Sequence, residues 1–257
     1  MTIVDNSAAK IIAVINQKGG TGKTTATANL GAALASLGKR VLLIDLDPQS
    51  NLSYSFGINL SNGGSIADVL QVKKTLQAIL VEREGVFIAP ASVLLADLEV
   101  SLVNKIGREQ VLKDRLKGLK GYDYILIDCP PSLSILTVNA LNAAHEVLIP
   151  LQMEVLSLQG LSQLLDTIAQ VKQVLNSGLK IRGIIPSMFD SRRRLSEEVL
   201  NQISANTKVK IFKTHIRECV KIAEAPSFAK TVLRYAPSSN GAEDFINLAK
   251  EFIKEDN

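Results

Sequence analysis

The chain has 257 residues, 46% hydrophobic and only 4% aromatic, with a formal net charge of +4. That is enough apolar residue for one large core, and with no charge-free apolar run of 18 residues a membrane-spanning helix is excluded. The two cysteines, Cys129 and Cys219, and the two histidines, His145 and His215, exclude a disulfide framework and a Cys/His zinc site, and they fit a reducing cytoplasm.

The N-terminal MTIVDNSAAK has neither the basic nor the apolar region of a signal peptide. Buried strands are expected at residues 10–16 (KIIAVIN), 40–45 (RVLLID), 86–89, 122–128 (YDYILID), 146–150 (EVLIP) and 181–187. Between them, helical periodicity runs through residues 24–37, 93–119, 133–144 and 157–175, and a last apolar stripe runs through 241–254. Continuous apolar strands alternating with helices predict an α/β fold: one doubly wound, mostly parallel sheet with helices on both faces. No repeat or linker divides the chain, so residues 1–257 are expected to form a single domain.

The turn between the first strand and the first helix reads NQKGGTGKTT, residues 16–25. It fits the phosphate loop G-x-x-x-x-G-K-[ST] except at its first glycine, where Gln17 stands, followed by a second lysine, Lys18. In such a loop Gly19, Gly20 and Gly22 let backbone N–H groups surround phosphate oxygens, Lys23 reaches the β- and γ-phosphates, and the Thr24 hydroxyl ligates Mg²⁺. Two strands end in acids, at Asp45 with Asp47 and at Asp128. The carboxyl ends of strands are where doubly wound sheets bind ligands, so these acids and the loop are expected in one crevice, Asp128 holding the metal through water.

KGGTGKTT (18–25), LLIDLDPQSN (42–51) and LIDCPPSLS (126–134) resemble the deviant Walker-A ATPases of the ParA/MinD family. PLQMEVLSLQGLSQLLDTI (150–168), MFDSRRRLS (188–196), IRECVKIAEAPSFAKTV (216–232) and YAPSSNGAEDFINLAKE (235–251) extend the likeness over nearly the whole chain, toward its ParA branch. The resemblance implies a P-loop ATPase that forms an ATP-dependent sandwich homodimer, binds nonspecific double-stranded DNA, hydrolyses ATP slowly with Mg²⁺ under stimulation by a ParB-like or cargo-adaptor partner, and works in the cytoplasm on the nucleoid.

It assigns residues 18–25 to nucleotide, Thr21 and Thr25 included. Lys18 becomes a lysine that reaches the partner's ATP, and Asp47 the residue that orients water. Asp45 becomes an outer-sphere metal partner, and Glu154 a contact to the opposing ribose. Met188 and the Ile216–Arg217 turn are assigned to adenine.

For DNA, the resemblance draws on a local charge excess. Residues 192–234 hold ten basic residues against four acids, leaving the rest of the chain net acidic by two. Arg192, Arg193, Arg194, Lys221, Lys230 and Arg234 are the candidate phosphate contacts. The family's usual P-R-N-V-R turn reads Arg217-Glu218-Cys219-Val220-Lys221 here, with an acid in place of an arginine. A MinD-like amphipathic membrane anchor is the rival reading; the mixed charge of Glu251, Lys254, Glu255 and Asp256 favours instead a final helix docked on the core. Iron–sulfur reductase and ligase relatives are a third class, to which the cysteine placement gives no support.

Overall fold

In the computed structural model, which describes residues 9–59 and 63–256, the apolar runs form the strands of one sheet. The strands are β1 (Lys10–Val14), β2 (Val41–Asp45), β3 (Val81–Arg83), β4 (Val86–Ala89), β5 (Tyr124–Asp128), β6 (Glu146–Gln152), β7 (Lys180–Phe189) and β8 (Ile216–Arg217). Their order is β3-β4-β2-β5-β1-β6-β7-β8. Every neighbouring pair is parallel except β3–β4. That pair is a hairpin turning through Glu84 and Gly85, both at positive φ, as a tight two-residue hairpin requires. β2 and β5 are buried along their whole length because helices cover both faces.

Alternation along the strands feeds two cores. Leu42 and Ile44 point to one face, under helices Leu94–Leu102, Ile135–Ala143, Val155–Val174 and Arg194–Asn206. Val41 and Leu43 point to the other, under helices Lys23–Ser36 and Asn240–Lys254. Helix Lys23–Ser36 lies close on β2 because residue 31 is glycine: a Cβ there would stand 2.6 Å from Leu43 Cδ2.

The helix expected over residues 93–119 is instead three pieces, Leu94–Leu102, the 3₁₀ turn Arg108–Gln110, and Val111–Leu116. Gly107, at φ 70°, breaks the run. The second part is started from outside: Asn139 Nδ2 donates to the Arg108 carbonyl and its Oδ1 accepts from the Leu112 N–H. The Ile216–Arg217 turn is strand β8, paired to β7. The edge strand β3 and the helix Arg194–Asn206 have no counterpart among the expected elements.

The C-terminal helix turns its apolar stripe inward, with Phe245, Leu248, Ala249 and Phe252 buried. Its end is tied down by ions. Arg182, buried beneath it, donates to Glu146, Asp256 and the Phe252 carbonyl, and stacks over the Phe252 ring at 3.6 Å. Lys10 and Tyr124 also bind Asp256. Among the described residues no helix is long and apolar enough to cross a membrane. The N-terminal residues 1–8, read above for a leader, lie outside the described residues.

Candidate functional site

β1 runs straight into the glycine loop, and Asn16 pins the junction. Its Nδ2 donates to the Pro150 carbonyl at 2.7 Å, while its Oδ1 accepts from the Lys18 N–H at 3.1 Å. Gly20 and Gly22 adopt φ 76° and 88°, a region costly for other residues. Gly22 precedes the first turn of helix Lys23–Ser36, whose unpaired N–H groups and dipole face the loop. The Lys23 ammonium curls into this ring and donates to the Lys18 carbonyl at 3.2 Å. Burial draws its pKa down, against the attraction of Asp128, Cys129 and Asp47. A cation desolvated inside a ring of donors is suited to a polyanion.

The two strand-end acids are register partners, Asp45 opposite Asp128, on adjacent strands. Burial, and then the facing Asp45, pushes Asp128 well above the usual carboxylate range, while the nearby Thr24 hydroxyl and the Lys23 ammonium pull the other way. Burial likewise lifts Asp45 to about 6, against hydrogen bonds from Ser53. Their roles diverge by partners. Asp45 is saturated: Oδ2 accepts from the Ser53 N–H and hydroxyl at 2.8 and 2.7 Å, and Oδ1 from the Asp47 N–H. Asp128 Oδ1 takes only a 3.4 Å bond from the Thr27 hydroxyl, and its buried Oδ2 has no partner.

An orphaned, desolvated carboxylate oxygen beside the Thr24 hydroxyl is a place a divalent cation fits. Among the described residues no group of three His, Cys, Asp or Glu could hold a metal by itself. A cation here would therefore be completed by phosphate oxygens and water. The carboxylate of Asp47, also buried, accepts among the described residues only from the Gln49 N–H, at 2.9 Å.

Beside the loop lies a cavity of about 330 Å³ whose walls bring together Gly22, Thr25, Met188, Ile216 and Arg217, residues scattered through the sequence. Met188 is brought there by a bulge: the β7–β8 register slips between Ser187 and Phe189, leaving Met188 at φ 52°. Arg217 contributes its stem, because its guanidinium is committed to Asp244 at 2.6 Å and to Glu243 at 2.8 Å.

Lys18 and Glu154 stand elsewhere, on an exposed rim. Lys18 Nζ binds its own chain's Glu154 Oε2 at 2.7 Å, and Gln152 donates to the other carboxylate oxygen. Thr21 is buried under the loop, its hydroxyl donating to the Lys18 carbonyl.

The basic residues assigned to DNA are unequal. Arg192 and Arg193 pair with Asp190, Arg193 also with Glu218, Arg194 with Glu198, and Lys221 with Glu224. Lys230 and Arg234 are exposed and form no ion pair among the described residues. Sequence reasoning missed the residues that hold others in place: Asn16, Ser53, Gln152 and Asp244. Each acts through a bond to a backbone or a distant side chain, so no local spacing announces it.

The family described as an AAA domain matches residues 9–181. The chain is 46% identical over 248 residues to the sporulation initiation inhibitor protein Soj of Bacillus subtilis, covering 94% of this chain and 97% of that one. It is 45% identical to the chromosome partitioning protein ParA of Myxococcus xanthus, over 96% of this chain and 89% of that protein. Its fold superposes with TM-score 0.87 on a crystal structure of cobyrinic acid a,c-diamide synthase from Mycobacterium smegmatis with bound ATP analog and magnesium, 38% identical, covering 96% of this chain and 95% of that one.

Proposed function

The chain belongs to the ParA/Soj family of chromosome-partitioning ATPases, and from that premise we propose that it is an ATP-driven dimerisation switch that positions DNA or another cargo. Residues 1–257 act as one P-loop ATPase domain in this reading. The backbone of residues 19–25 and the Lys23 ammonium hold the β- and γ-phosphates, and Met188, Ile216 and the Arg217 stem wall the adenine. Thr24, and Asp128 through water, would hold Mg²⁺, which when bound would offset phosphate charge. Asp47 orients the attacking water, and Asp45, saturated by Ser53, fixes the turn that carries it.

The observation that carries the switch is the separation of the two lysines. Lys23 occupies the loop's own cradle, whereas Lys18 stands on the rim, about two-fifths exposed, held by Glu154. A rim lysine has its use across an interface, where a second cation offsets the charge of two nucleotides brought face to face. Its bond to Glu154 then opens, and Glu154 becomes free to meet the opposing ribose. ATP thereby joins two copies, and the dimer binds nonspecific duplex DNA through its basic surface on the nucleoid, in the cytoplasm. Slow hydrolysis, stimulated by a ParB-like or cargo-adaptor protein, returns monomers. The apolar stripe of the C-terminal helix is buried against the sheet, so that helix offers no free lipid-binding face to a MinD-like membrane reading.

Light scattering with Mg²⁺·ATP tests this. Lys18→Ala should bind ATP close to normally and dimerise at least about tenfold more weakly, a loss of about 1.4 kcal/mol. A variant that dimerises as strongly as the unaltered protein overturns the role across the interface.

A further inference from the structure

Two open cavities, of about 410 and 470 Å³, adjoin at the opposite end of the sheet from the phosphate loop and share Asp114, Lys117, Gly118 and Leu119 in their walls. The first lies between the ends of helices Ile66–Leu70 and Val111–Leu116, and the second opens at Ile11 and Ile125, near the starts of β1 and β5. Lys73, Lys74, Arg115 and Lys117 line the first, Lys113, Lys117 and Lys120 the second, and among the described residues Asp114 is the only acid in either wall. The five lysines are exposed, and none of the six cations has a side-chain hydrogen bond or ion pair among the described residues. Arg115 Nε is fully buried and still lacks a hydrogen-bond partner. Buried donors are matched more than nine times in ten, so this one points to a missing acceptor.

Helix dipoles do not account for the cluster. Lysines gather at helix C-termini, but each terminus carries only about half a negative charge. Two short helices thus balance about one cation, against six here. The local sequence hides the excess, since residues 66–120 hold nine basic residues and seven acids. Folding sends most of those acids elsewhere. The contrast with residues 192–234 is direct, because four of the six cations proposed there are committed to nearby carboxylates.

We propose that this paired hollow is a second phosphate-binding surface, and that its occupant is the phosphodiester backbone of DNA. Uncommitted cations spread over two connected, open hollows suit a chain of phosphates better than a single anion, and backbone contacts of this kind carry no sequence preference. Five strand residues, roughly 16 Å, separate the hollow from the nucleotide crevice, so DNA can hold here whichever nucleotide is bound. The inference rests on the DNA-binding reading above but adds a component that does not depend on ATP.

The test is a salt titration of duplex binding with ADP, comparing the unaltered protein with the triple variant Lys73→Ala, Lys74→Ala, Lys117→Ala. These side chains are exposed and unpaired, so the variant should fold and should dimerise with ATP as before. Each neutralised phosphate contributes about −0.9 to the slope of log K against log salt. The unaltered protein with ADP should bind weakly at low salt with a slope near about −3, and the triple variant should lose this binding. An unchanged slope in the variant, or no DNA binding with ADP at low salt, overturns the hollow while leaving ATP-dependent binding standing. No gain in DNA affinity from ADP to ATP overturns the switch reading instead. A fluorescent tripolyphosphate is the second probe. If the variant loses it while its DNA slope stays unchanged, the hollow belongs to a free polyphosphate, and the DNA assignment falls.

Discussion

At the scale of single residues, three carboxylates at two strand ends have three different sets of partners, and the roles proposed for them differ accordingly. Asp47 keeps most of its acceptor capacity, so Asp47→Ala should remove water activation and little else. We expect ATP hydrolysis to fall by about a hundredfold or more, with Mg²⁺·ATP binding near normal by nucleotide titration; loss of ATP binding would place Asp47 in the metal shell instead. Asp128 is the opposite case, a buried carboxylate whose Oδ2 has no hydrogen-bond partner and whose pKa burial and the facing Asp45 raise despite the attraction of Lys23. Its pKa is higher in the folded state than in the unfolded state, so the folded state binds the proton more tightly. Stability therefore falls as pH rises through that interval, and the penalty is complete above it. Asp128→Asn removes the ionisation. Without nucleotide the variant should melt above the unaltered protein by a few degrees at pH 8, at about 2–4 °C per kcal/mol for a chain of this size. The gap should shrink at pH 5, and Mg²⁺-dependent ATP binding should weaken. A gap independent of pH would show that Asp128 is not the source.

At the scale of elements, the ion-bound end of the C-terminal helix fixes that helix to the sheet. Arg182 is buried and shares its charge between Glu146 and Asp256. Against the desolvation of partial burial, bonds from Arg182, Lys10 and Tyr124 hold Asp256 below the ordinary carboxylate range. A lowered carboxylate stabilises above its unfolded pKa, and that stability is lost as pH falls through the folded value. Asp256→Ala should therefore cost about 2–4 kcal/mol at pH 7, read by urea unfolding, and much less near pH 3. An equal loss at both pH values would mean that packing, not charge, is at work. The strands and the loop-to-helix junction were legible in the sequence because their signals are local: apolar runs, turn glycines and an acid at each strand end. The break at Gly107 was not, because the helix that follows is started by Asn139 from a different helix. Nor was β8, only two residues long. The pairing within the charge excess was hidden for a related reason. Counting from Arg192 leaves out Asp190, two residues earlier, which binds both Arg192 and Arg193.

At the scale of the whole molecule, that pairing decides which cations would be available to DNA in the proposed role. Hydrogen bonds from the Arg192 side chain and backbone hold Asp190 at about 2, so it stays ionised and in competition with phosphate throughout the working pH range. Lys221 is engaged by Glu224 in the same way. Lys230 and Arg234 have no such rival, and a dimer presents two copies of each. Four phosphates neutralised on one dimer should steepen the salt slope by about −3.6 relative to the ADP state. The steepening should be alike for unrelated duplex sequences, since phosphate contacts read none. Lys230→Ala with Arg234→Ala should remove most of that increment while light scattering still reports an ATP-dependent dimer. Arg192→Ala should remove less, because its loss also frees part of the Asp190 charge that opposes binding. If Arg192→Ala flattens the slope more than the Lys230/Arg234 pair does, Arg192 exchanges Asp190 for phosphate in the complex. The ion pairs of residues 190–194 would then be a reserve of charge that DNA draws open.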